Sequence, residues 1–380
     1  MTHRSILLAA MMLAITLGAS AAAQEKRTPV IHDTDLYHPH VDADDHVDLA
    51  NVFSLPELDV KAIVLDNGQW QKAKPGRVPV EQMLAMTGRR PPCAVGLAPL
   101  KSLEDDGRDQ PAEYQQAVEL ILKVLHDSGQ PVHVITTGSV RDVVVAFNRQ
   151  PQLLREKVAG LYVNIGNSAL GGDEYNVQLD RRAYRRLLQT GLPIFWYPCF
   201  PQNVRESTYW RMTDFPATLN ACPAPLRNYF IYAVRGLDAA KYEPVASLAA
   251  DLGSVDDAFA KANSFRPAKE MWCTPSILTV AGRRIYRVAG DYVAAASPPA
   301  GAEEVKVYEY VPTRLEVDDQ GKPTKVEFGA ANANVRVIRV TDPRLYGEVM
   351  NSCLRNLLVH FPAKDTRAPA GADLRPAASR

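Results

Sequence analysis

Short apolar runs alternate along the first half of the chain with segments in which apolar residues recur at helical spacing. The runs predict buried strands at 60–65, 93–95, 132–136, 160–164 and 193–197. The helical spacing predicts helices at 48–54, 78–87, 113–126, 140–148 and 181–190. Strands that alternate with helices in this way form a mostly parallel sheet covered by helices. The predicted fold class is therefore α/β, an open and mostly parallel sheet flanked by helices.

The pattern changes towards the C-terminus. Apolar and polar residues alternate with a period of two at 305–311 and 335–340, which predicts a small antiparallel β insertion over about 283–340. A last helix is expected to begin at Thr341-Asp342-Pro343, because apolar pairs then recur every four residues and mark one buried stripe. From Pro362 onward, proline, alanine and charge without periodicity predict a disordered tail.

The first 23 residues have the order of a cleaved secretory signal. His3 and Arg4 precede an apolar stretch from Ile6 to Leu17, and small residues follow before Gln24. A buried first helix or a membrane anchor is the alternative, but the stretch is short for a bilayer span. We therefore expect a mature chain that begins near Gln24, is periplasmic or secreted, and folds over residues 24–361.

Composition narrows the classes of partner. The 380 residues include 43 Lys and Arg against 43 Asp and Glu, and this neutral balance argues against nucleic acid or an anionic membrane as the main partner. The five cysteines are widely spaced and form no Cys-x-x-Cys pair, which argues against a zinc ribbon or a redox motif. An oxidising compartment permits one or two disulfides and leaves at least one thiol free.

One stretch, residues 30–50, carries most of the candidate chemistry, with six aspartates and four of the eight histidines. The apolar pair Val30 and Ile31 leads into it and an apolar-periodic run leaves it, so we expect a loop between a strand and a helix. The carboxyl end of a strand is where open α/β sheets bind ligands.

Carboxylates that are forced together repel one another unless a cation or protons intervene, and Ca²⁺ binds several oxygens at once. A metal site is therefore predicted in this loop. Its candidate ligands are Asp33, Asp35, Asp42, Asp44 and Asp45. The alternative is a solvated acidic loop that also stabilises the positive end of the following helix.

Four stretches share their order and spacing with motifs of one family. They are Asp33-Thr34-Asp35 with Asp44-Asp45, Thr137-Gly138-Ser139-Val140, Asn164-Ile165-Gly166-Asn167, and Glu174-Tyr175-Asn176 with Asp180. Together they resemble the inosine-uridine nucleoside hydrolase family over about residues 28–200. The resemblance implies an open α/β fold, a bound Ca²⁺ and hydrolysis of the N-glycosidic bond of a small-molecule nucleoside or ribosyl substrate. It also makes a homo-oligomer possible.

The resemblance implies roles for individual residues. Asp35 would activate the attacking water and bind the cation, together with Asp45 and the carbonyl of Thr137. Ribose hydroxyls would be bound by Asp44, Asn67, Asn167, Glu174 and Asn176. Carboxylates suit this reaction, because departure of the base leaves oxocarbenium character on the ribose.

The sequence departs from the family's pattern in its acidic loop and in its histidines. Eight residues separate Asp35 from Asp44, where the family has three. Trp272-Cys273 stands where the family has a late His-Asp pair, and the stretch after Gly96 lacks the histidine that it often carries. The Asp42 carboxylate or the Thr274 hydroxyl could replace the lost ligand.

Help for the leaving group must then come from another side chain. The candidates are His38, His40 and His46 of the longer loop, and Trp196, Tyr197 and Trp272 are candidates for stacking on a base. Two other functions stay open. One is a catalytically silent relative that binds a sugar or nucleoside, and the other is a haloacid-dehalogenase-like phosphatase in which Asp33 is the nucleophile.

Overall fold

The computed structural model describes residues 27–39, 43–200, 205–262 and 268–364. The predicted signal at 1–23, nearly all of the predicted tail, and loop residues 40–42 with His40 and Asp42 lie outside the described residues. Within the described ranges, no helix has both the length and the apolar character needed to cross a membrane.

The described residues contain fourteen strands. They are β1 (Thr28–Thr34), β2 (Leu58–Leu65), β3 (Cys93–Val95), β4 (Val132–Thr136), β5 (Val158–Val163), β6 (Ile194–Trp196), β7 (Trp210–Met212), β8 (Lys269–Met271), β9 (Arg284–Val288), β10 (Asp291–Ala295), β11 (Glu303–Glu304), β12 (Tyr308–Val317), β13 (Pro323–Phe328) and β14 (Val335–Val340).

The helices connect these strands and cover the sheet. They are α1 (Asp44–Ser54), α2 (Arg77–Thr87), α3 (Ala112–Asp127), α4 (Arg141–Arg149), α5 (Pro151–Lys157), α6 (Tyr175–Leu179), α7 (Arg181–Leu187), α8 (Phe215–Ala221), α9 (Ala224–Val234), α10 (Val255–Lys261), α11 (Thr274–Val280) and α12 (Pro343–Val359).

A nine-stranded sheet forms the centre, in the order β13-β12-β14-β6-β5-β4-β1-β2-β3. Seven adjacent strands of this sheet pair in parallel, in the order β14, β6, β5, β4, β1, β2, β3. At one edge, β12 pairs antiparallel with β14 and with β13. The predicted fold class is therefore confirmed. The order of connection reverses at β1, which pairs with β2 on one side and with β4 on the other. Such a reversal opens a crevice at the carboxyl ends of the strands.

Apolar residues pack on both faces of this sheet. Val30 of β1 belongs to a core with helices α1, α2 and α8 to α12, while its neighbour Ile31 belongs to a second core with α3 to α5 and α7. Successive side chains of a strand point to opposite faces, so Val30 and Ile31 bury β1 on both sides of the sheet. Burial on both faces fixes the position of β1 and of the acidic residues that follow it.

The C-terminal β segment is more integrated than the sequence pattern predicted. Strands β9, β10 and β11 form a small separate antiparallel sheet, as expected. Strands β12, β13 and β14 pair antiparallel with one another, as expected, but they extend the central sheet, because β14 pairs in parallel with β6. Val335, Val337 and Ile338 are buried there. The short antiparallel pair β7 and β8 was not predicted.

Helix starts are confirmed where an aspartate caps them. The Asp180 carboxylate accepts a hydrogen bond from the Ala183 amide, and the Asp342 carboxylate accepts from the first turn of α12. Helix α4 begins one residue later than predicted, and Thr274 is the first residue of α11, with no hydrogen-bond partner for its hydroxyl among the described residues.

Candidate active site

Polar residues follow several parallel strands at the edge where the connection order reverses. Asp35 follows β1, Asn67 follows β2 and Thr137 follows β4. Because β1 lies between β2 and β4, these three positions are neighbours in space. The sequence motifs at 33–35 and 137–140 therefore meet at one point of the fold.

A cavity of about 310 Å³ opens at this edge. Its walls carry acidic, amide, thiol and aromatic side chains, and no basic residue or histidine is found among its described lining residues. They are Asp35, Tyr37, Asp44, Asp45, Trp70, Thr137, Glu174, Tyr175, Asn176, Cys199, Phe200, Trp272 and Cys273.

Three aspartates at the cavity, Asp35, Asp44 and Asp45, form what we call the open cluster. The Asp45 carboxylate accepts hydrogen bonds from the hydroxyls of Thr34 at 3.1 Å and Thr137 at 3.3 Å. Burial, reinforced by neighbouring carboxylates, raises the pKa of Asp35 and of Asp44 well above the ordinary range. Burial also raises the pKa of Asp45 to about 6. Ionisation of all three carboxyl groups together is therefore opposed by burial and by their mutual repulsion.

A second acidic group, Asp33, Asp66 and Asp142, lies deeper and forms what we call the enclosed cluster. One carboxylate oxygen from each comes within 4.8 Å of the others, and none of the three residues lines the cavity. Asp66 accepts a hydrogen bond from the Ser139 amide at 2.6 Å, and Asp142 accepts from the Leu97 amide at 3.0 Å.

A buried arginine lies beside the enclosed cluster. Arg141 is 0% exposed and pairs with Asp180 at 2.9 Å. Its two terminal nitrogens donate to the carbonyls of Leu97 and Leu179, each at 2.7 Å. Its positive charge lowers the pKa of Asp66 and of Asp142, although burial is the larger effect and leaves these values raised, at about 6 and about 7.

Gly138 separates the two clusters. A Cβ atom at this position would lie 2.6 Å from Oδ2 of Asp66 and 2.7 Å from Cβ of Asp35. Only glycine allows the chain after β4 to approach both aspartates this closely. The Thr-Gly-Ser turn thereby brings the Thr137 hydroxyl to Asp45 and the Ser139 amide to Asp66.

The segment after β5 supplies the opposite wall. The Glu174 carboxylate accepts hydrogen bonds from the amides of Gly166, Asn176 and Val177, which hold it in one orientation at the start of α6. Asn176 donates to the Asn164 carbonyl at 3.0 Å and lines the cavity. Glu174 and Asn176 therefore lie where the resemblance implied.

Two other predicted substrate-binding residues are placed differently. Asn167 donates to the Asp173 carbonyl and accepts from the Ala169 amide, so its side chain shapes the loop rather than the cavity wall. Asn67 lies at the correct edge and is 3% exposed, but it is not among the lining residues. Its amide group has no hydrogen-bond partner among the described residues.

The structure does not bring the predicted histidines to the cavity. Nε2 of His38 lies 2.9 Å from the Leu237 carbonyl, and its ring packs against Tyr232 and His46. His46 is 1% exposed and also packs against Tyr229. The distant segment around Leu237 turns His38 away from the site. His40 lies outside the described residues.

Of the predicted stacking residues, only Trp272 lines the cavity. The Trp196 indole donates to the Ile165 carbonyl, and the Tyr197 hydroxyl pairs with that of Tyr310, so both belong to the core. Sequence reasoning missed Trp70 and Tyr175, which are 52% and 48% exposed at the cavity mouth. Trp70 follows β2, so the rule that ligands bind at strand ends could have found it.

The structure also places two cysteines in the wall. Cys199 follows β6 at the same edge, and Cys273 precedes α11. Cys199 was not predicted, although its position after a strand was a usable signal. All five cysteines are free thiols, so the structure contains none of the permitted disulfides.

Comparison with known proteins identifies the group to which this arrangement is related. Pyrimidine-specific ribonucleoside hydrolases RihA from Salmonella typhi and Citrobacter koseri are 31% and 32% identical to the chain over 189 residues. The chain is similar to these ribonucleoside hydrolases. The match covers 44% of this chain and 58% of each hydrolase, so it spans a little over half of their length. No family model matches the chain.

Solved nucleoside hydrolases share the fold. The purine-preferring ribonucleoside hydrolase from Gardnerella vaginalis superposes with a TM-score of 0.54 at 14% identity, over 87% of this chain and 99% of that one. An inosine-guanosine nucleoside hydrolase gives 0.52 at 14% identity, over 87% and 98%. The resemblance to nucleoside hydrolases that the motifs indicated is confirmed.

The residues of the open cluster fit the divalent cation that this relationship implies. Asp35, Asp44 and Asp45 are acidic neighbours, and none of the described lining residues is a basic side chain that could balance them. Burial and neighbouring carboxylates raise their pKa values, and a bound cation would offset that repulsion. Asp35, Asp45 and Thr137 are the residues that would hold the ion.

Proposed function

We propose that this protein hydrolyses the N-glycosidic bond of ribonucleosides or of a related ribosyl compound, with a divalent cation at the open cluster. One observation carries the proposal. Asp35 lies just after the carboxyl end of β1, where the order of connection reverses, in a cavity that it shares with Asp45, Glu174 and Asn176 and that has no described basic residue in its lining. Ca²⁺ is the ion that the family resemblance implies.

Asp35 is suited to accept a proton from the attacking water. Gln71 donates to the Asp35 backbone carbonyl at 2.9 Å and approaches its carboxylate at 3.4 Å, which fixes the side chain at the cavity wall. Burial raises the pKa of Asp35 in the cation-free protein, and a bound divalent cation would favour the ionised carboxylate and bring this pKa back down. A base whose pKa lies nearer the working pH is more effective in proton transfer.

Glu174 and Asn176 are suited to position the sugar. Three backbone amides hold the Glu174 carboxylate in place before any ligand arrives, so binding does not have to order it. The side-chain oxygen of Asn176 accepts no hydrogen bond from a described residue and can accept one from a hydroxyl. A bound cation would supply further attraction for the oxygens of the ribose diol and the water.

The acidic wall also stabilises the transition state. Departure of the base leaves positive charge on the ribose ring, and fixed carboxylates nearby lower the energy of that charge. The aromatic residues Trp70, Tyr175 and Trp272 surround the mouth and offer flat surfaces to a planar leaving group.

The test is release of ribose from a panel of purine and pyrimidine ribonucleosides by the purified protein with added divalent cation. Asp35→Ala is expected to lower turnover by about 10³-fold or more, because it removes both the base and a cation ligand. Asp127→Asn is the matched control, since Asp127 is an exposed aspartate on α3. It is expected to leave turnover unchanged.

The second candidate is a catalytically silent relative that binds a nucleoside or sugar. It is favoured by one observation, that no histidine is found among the described lining residues, so no imidazole is placed to protonate a leaving base. Binding of a nucleoside with no ribose release on any substrate would contradict the hydrolase and support this binder.

The phosphatase alternative finds no support in the geometry. Asp33, its required nucleophile, is 0% exposed, lies within β1 and does not line the cavity. A phosphate ester in the cavity would face Asp35, Asp44 and Asp45, which repel its negative charge.

A further inference from the structure

Most of the described cavity wall is either acidic or aromatic. Of the 13 described lining residues, four carry a carboxyl group and five carry an aromatic ring. A carboxylate attracts a cation through its charge, and the face of an aromatic ring attracts one through its quadrupole. Such a wall recognises a ligand that is both flat and positively charged.

The wall would stay negative with a divalent cation bound. Asp35, Asp44, Asp45 and Glu174 carry four negative charges when they are ionised, so an ion of charge +2 leaves a net charge of about −2. Three backbone amides donate hydrogen bonds to the Glu174 carboxylate and favour its ionised form. The cavity can therefore attract a cationic ligand beside the metal.

The aromatic part of the wall has a fixed side and an accessible mouth. The Trp272 indole donates a hydrogen bond to the Cys199 carbonyl at 3.0 Å, and its ring packs against Tyr209 with centroids 5.8 Å apart. These contacts hold the Trp272 ring in place before a ligand binds. Trp70 and Tyr175 are about half exposed at the mouth, so their rings are accessible to a ligand.

The acidic wall affects how a base can leave. In a neutral nucleoside, the electron pair of the broken C1′–N bond leaves negative charge on the base unless a proton reaches it. Nearby carboxylates raise the energy of that charge, and the described lining residues include no lysine, arginine or histidine to offset it. A base that already carries a positive charge accepts the same electron pair and leaves as a neutral molecule, so it needs no proton.

We propose that the substrate is a cationic N-riboside, in which the ribose is attached to a flat heteroaromatic base that carries a positive charge, of the N-alkylated pyridine or purine type. The inference rests on the proposed function, because it names the substrate class of the same site. Water attacks C1′, the C1′–N bond breaks, and its electron pair neutralises the ring nitrogen. Asp35 accepts the proton of the water and passes it to solvent.

A matched pair of nucleosides tests the substrate class. Guanosine and 7-methylguanosine differ by one methyl group, and in slightly acidic buffer the methylated base is positively charged. The value of kcat/KM for ribose release with added divalent cation is expected to be at least about 10²-fold larger for 7-methylguanosine. General-acid catalysis of about that size is what the neutral base requires and the cationic base does not.

Binding of free base analogues tests charge recognition without any turnover. Nicotinamide and 1-methylnicotinamide are flat rings that differ by one methyl group and one permanent positive charge. Calorimetric titration of the cation-loaded protein is expected to show 1-methylnicotinamide binding at least about 5-fold more tightly than nicotinamide.

A variant at the mouth tests the aromatic contribution. Trp70→Leu keeps an apolar side chain but removes the ring face, so it is expected to weaken 1-methylnicotinamide by about 3-fold or more and nicotinamide by less. Tyr242→Leu is the matched control, because Tyr242 is 42% exposed and does not line the cavity. Equal losses for both compounds in Trp70→Leu would overturn the assignment of charge recognition to the aromatic wall.

The outcomes separate this inference from the proposed function. If guanosine is hydrolysed at least as efficiently as 7-methylguanosine, or if nicotinamide binds at least as tightly as 1-methylnicotinamide, the cationic substrate class is overturned while the hydrolase stands. If no ribose is released from either nucleoside or from any other ribonucleoside of the panel, the proposed hydrolysis itself fails, and the substrate class fails with it.

Discussion

The open and enclosed clusters each contain three aspartates and are separated by one glycine, yet they differ in how their charge is balanced. The enclosed cluster has a buried arginine beside it and accepts hydrogen bonds from the amides of Leu97 and Ser139. The open cluster has two hydroxyl donors to Asp45 and one amide approaching Asp35. No positive side chain is found among its described lining residues.

This difference indicates distinct roles. Arg141 offsets the charge of the enclosed cluster only in part, and because none of those aspartates lines the cavity, they can serve as the rigid base of the site. The open cluster faces a cavity and depends on a group from outside the chain. Carboxylates that repel one another at a cavity favour the binding of a cation there, because the cation relieves their repulsion.

The largest expected effect comes from removing the arginine. Arg141→Met leaves Asp180 and the carbonyls of Leu97 and Leu179 buried without their donor. Breaking a buried ion pair in this way costs about 3–5 kcal/mol, so urea denaturation is expected to show that loss in the free energy of unfolding.

Arg287→Met is the control for that measurement, because Arg287 pairs with Glu303 on the exposed surface. It is expected to leave the unfolding curve unchanged. Equal destabilisation by both substitutions would mean that Arg141 has no special role in balancing the enclosed cluster.

A smaller effect is expected from adding a methyl group between the two clusters at Gly138. In Gly138→Ala the new methyl group must displace Asp66 or Asp35, since its Cβ would lie within 2.7 Å of both. A shift of Asp35 by a fraction of an ångström is expected to lower turnover by about 10²-fold. Gly129→Ala is the control, because a Cβ there meets nothing within 4 Å. Unchanged turnover and cation affinity in Gly138→Ala would show that the spacing is unimportant.

The smallest effect is a pH dependence of stability in the cation-free protein. Burial raises the pKa of Asp66 to about 6 and that of Asp142 to about 7, from an ordinary value of 3.8. Between the ordinary and the raised values, the folded protein binds more protons than the unfolded chain. The contribution of these groups to stability is therefore complete below about pH 4 and is lost as the pH rises through 6 to 7.

Denaturation at several pH values checks this sign. The free energy of unfolding is expected to fall as the pH rises from 5 to 8, most steeply between pH 6 and pH 7. Asp142→Asn, which cannot ionise, is expected to flatten the slope. A wild-type protein that becomes more stable as the pH rises through this range would contradict the raised pKa values.

The sequence alone was sufficient to predict the sheet and one edge of the site. Apolar runs placed β1, β2 and β4, and parallel pairing then required Asp35, Asn67 and Thr137 to lie at one edge. Local motifs also singled out Glu174 and Asn176, which line the cavity because a capping carboxylate fixes the start of α6.

Features that depend on distant segments could not be predicted. The Leu237 carbonyl, far along the chain, determines where His38 points. Strand β14 joins the central sheet through pairing with β6, which an alternating pattern alone does not specify. Cys199 and Trp70 reach the cavity because loops after separate strands converge there.

The most direct test of the account counts the ions bound by three forms of the protein. Metal-free wild type, Asp35→Asn and Asp142→Asn are each dialysed against the same free concentration of Zn²⁺ or Ca²⁺, and the bound metal is measured. The account predicts about one ion per chain for wild type and for Asp142→Asn, and none for Asp35→Asn. Binding that survives in Asp35→Asn but is lost in Asp142→Asn would place the ion in the enclosed cluster and contradict the account.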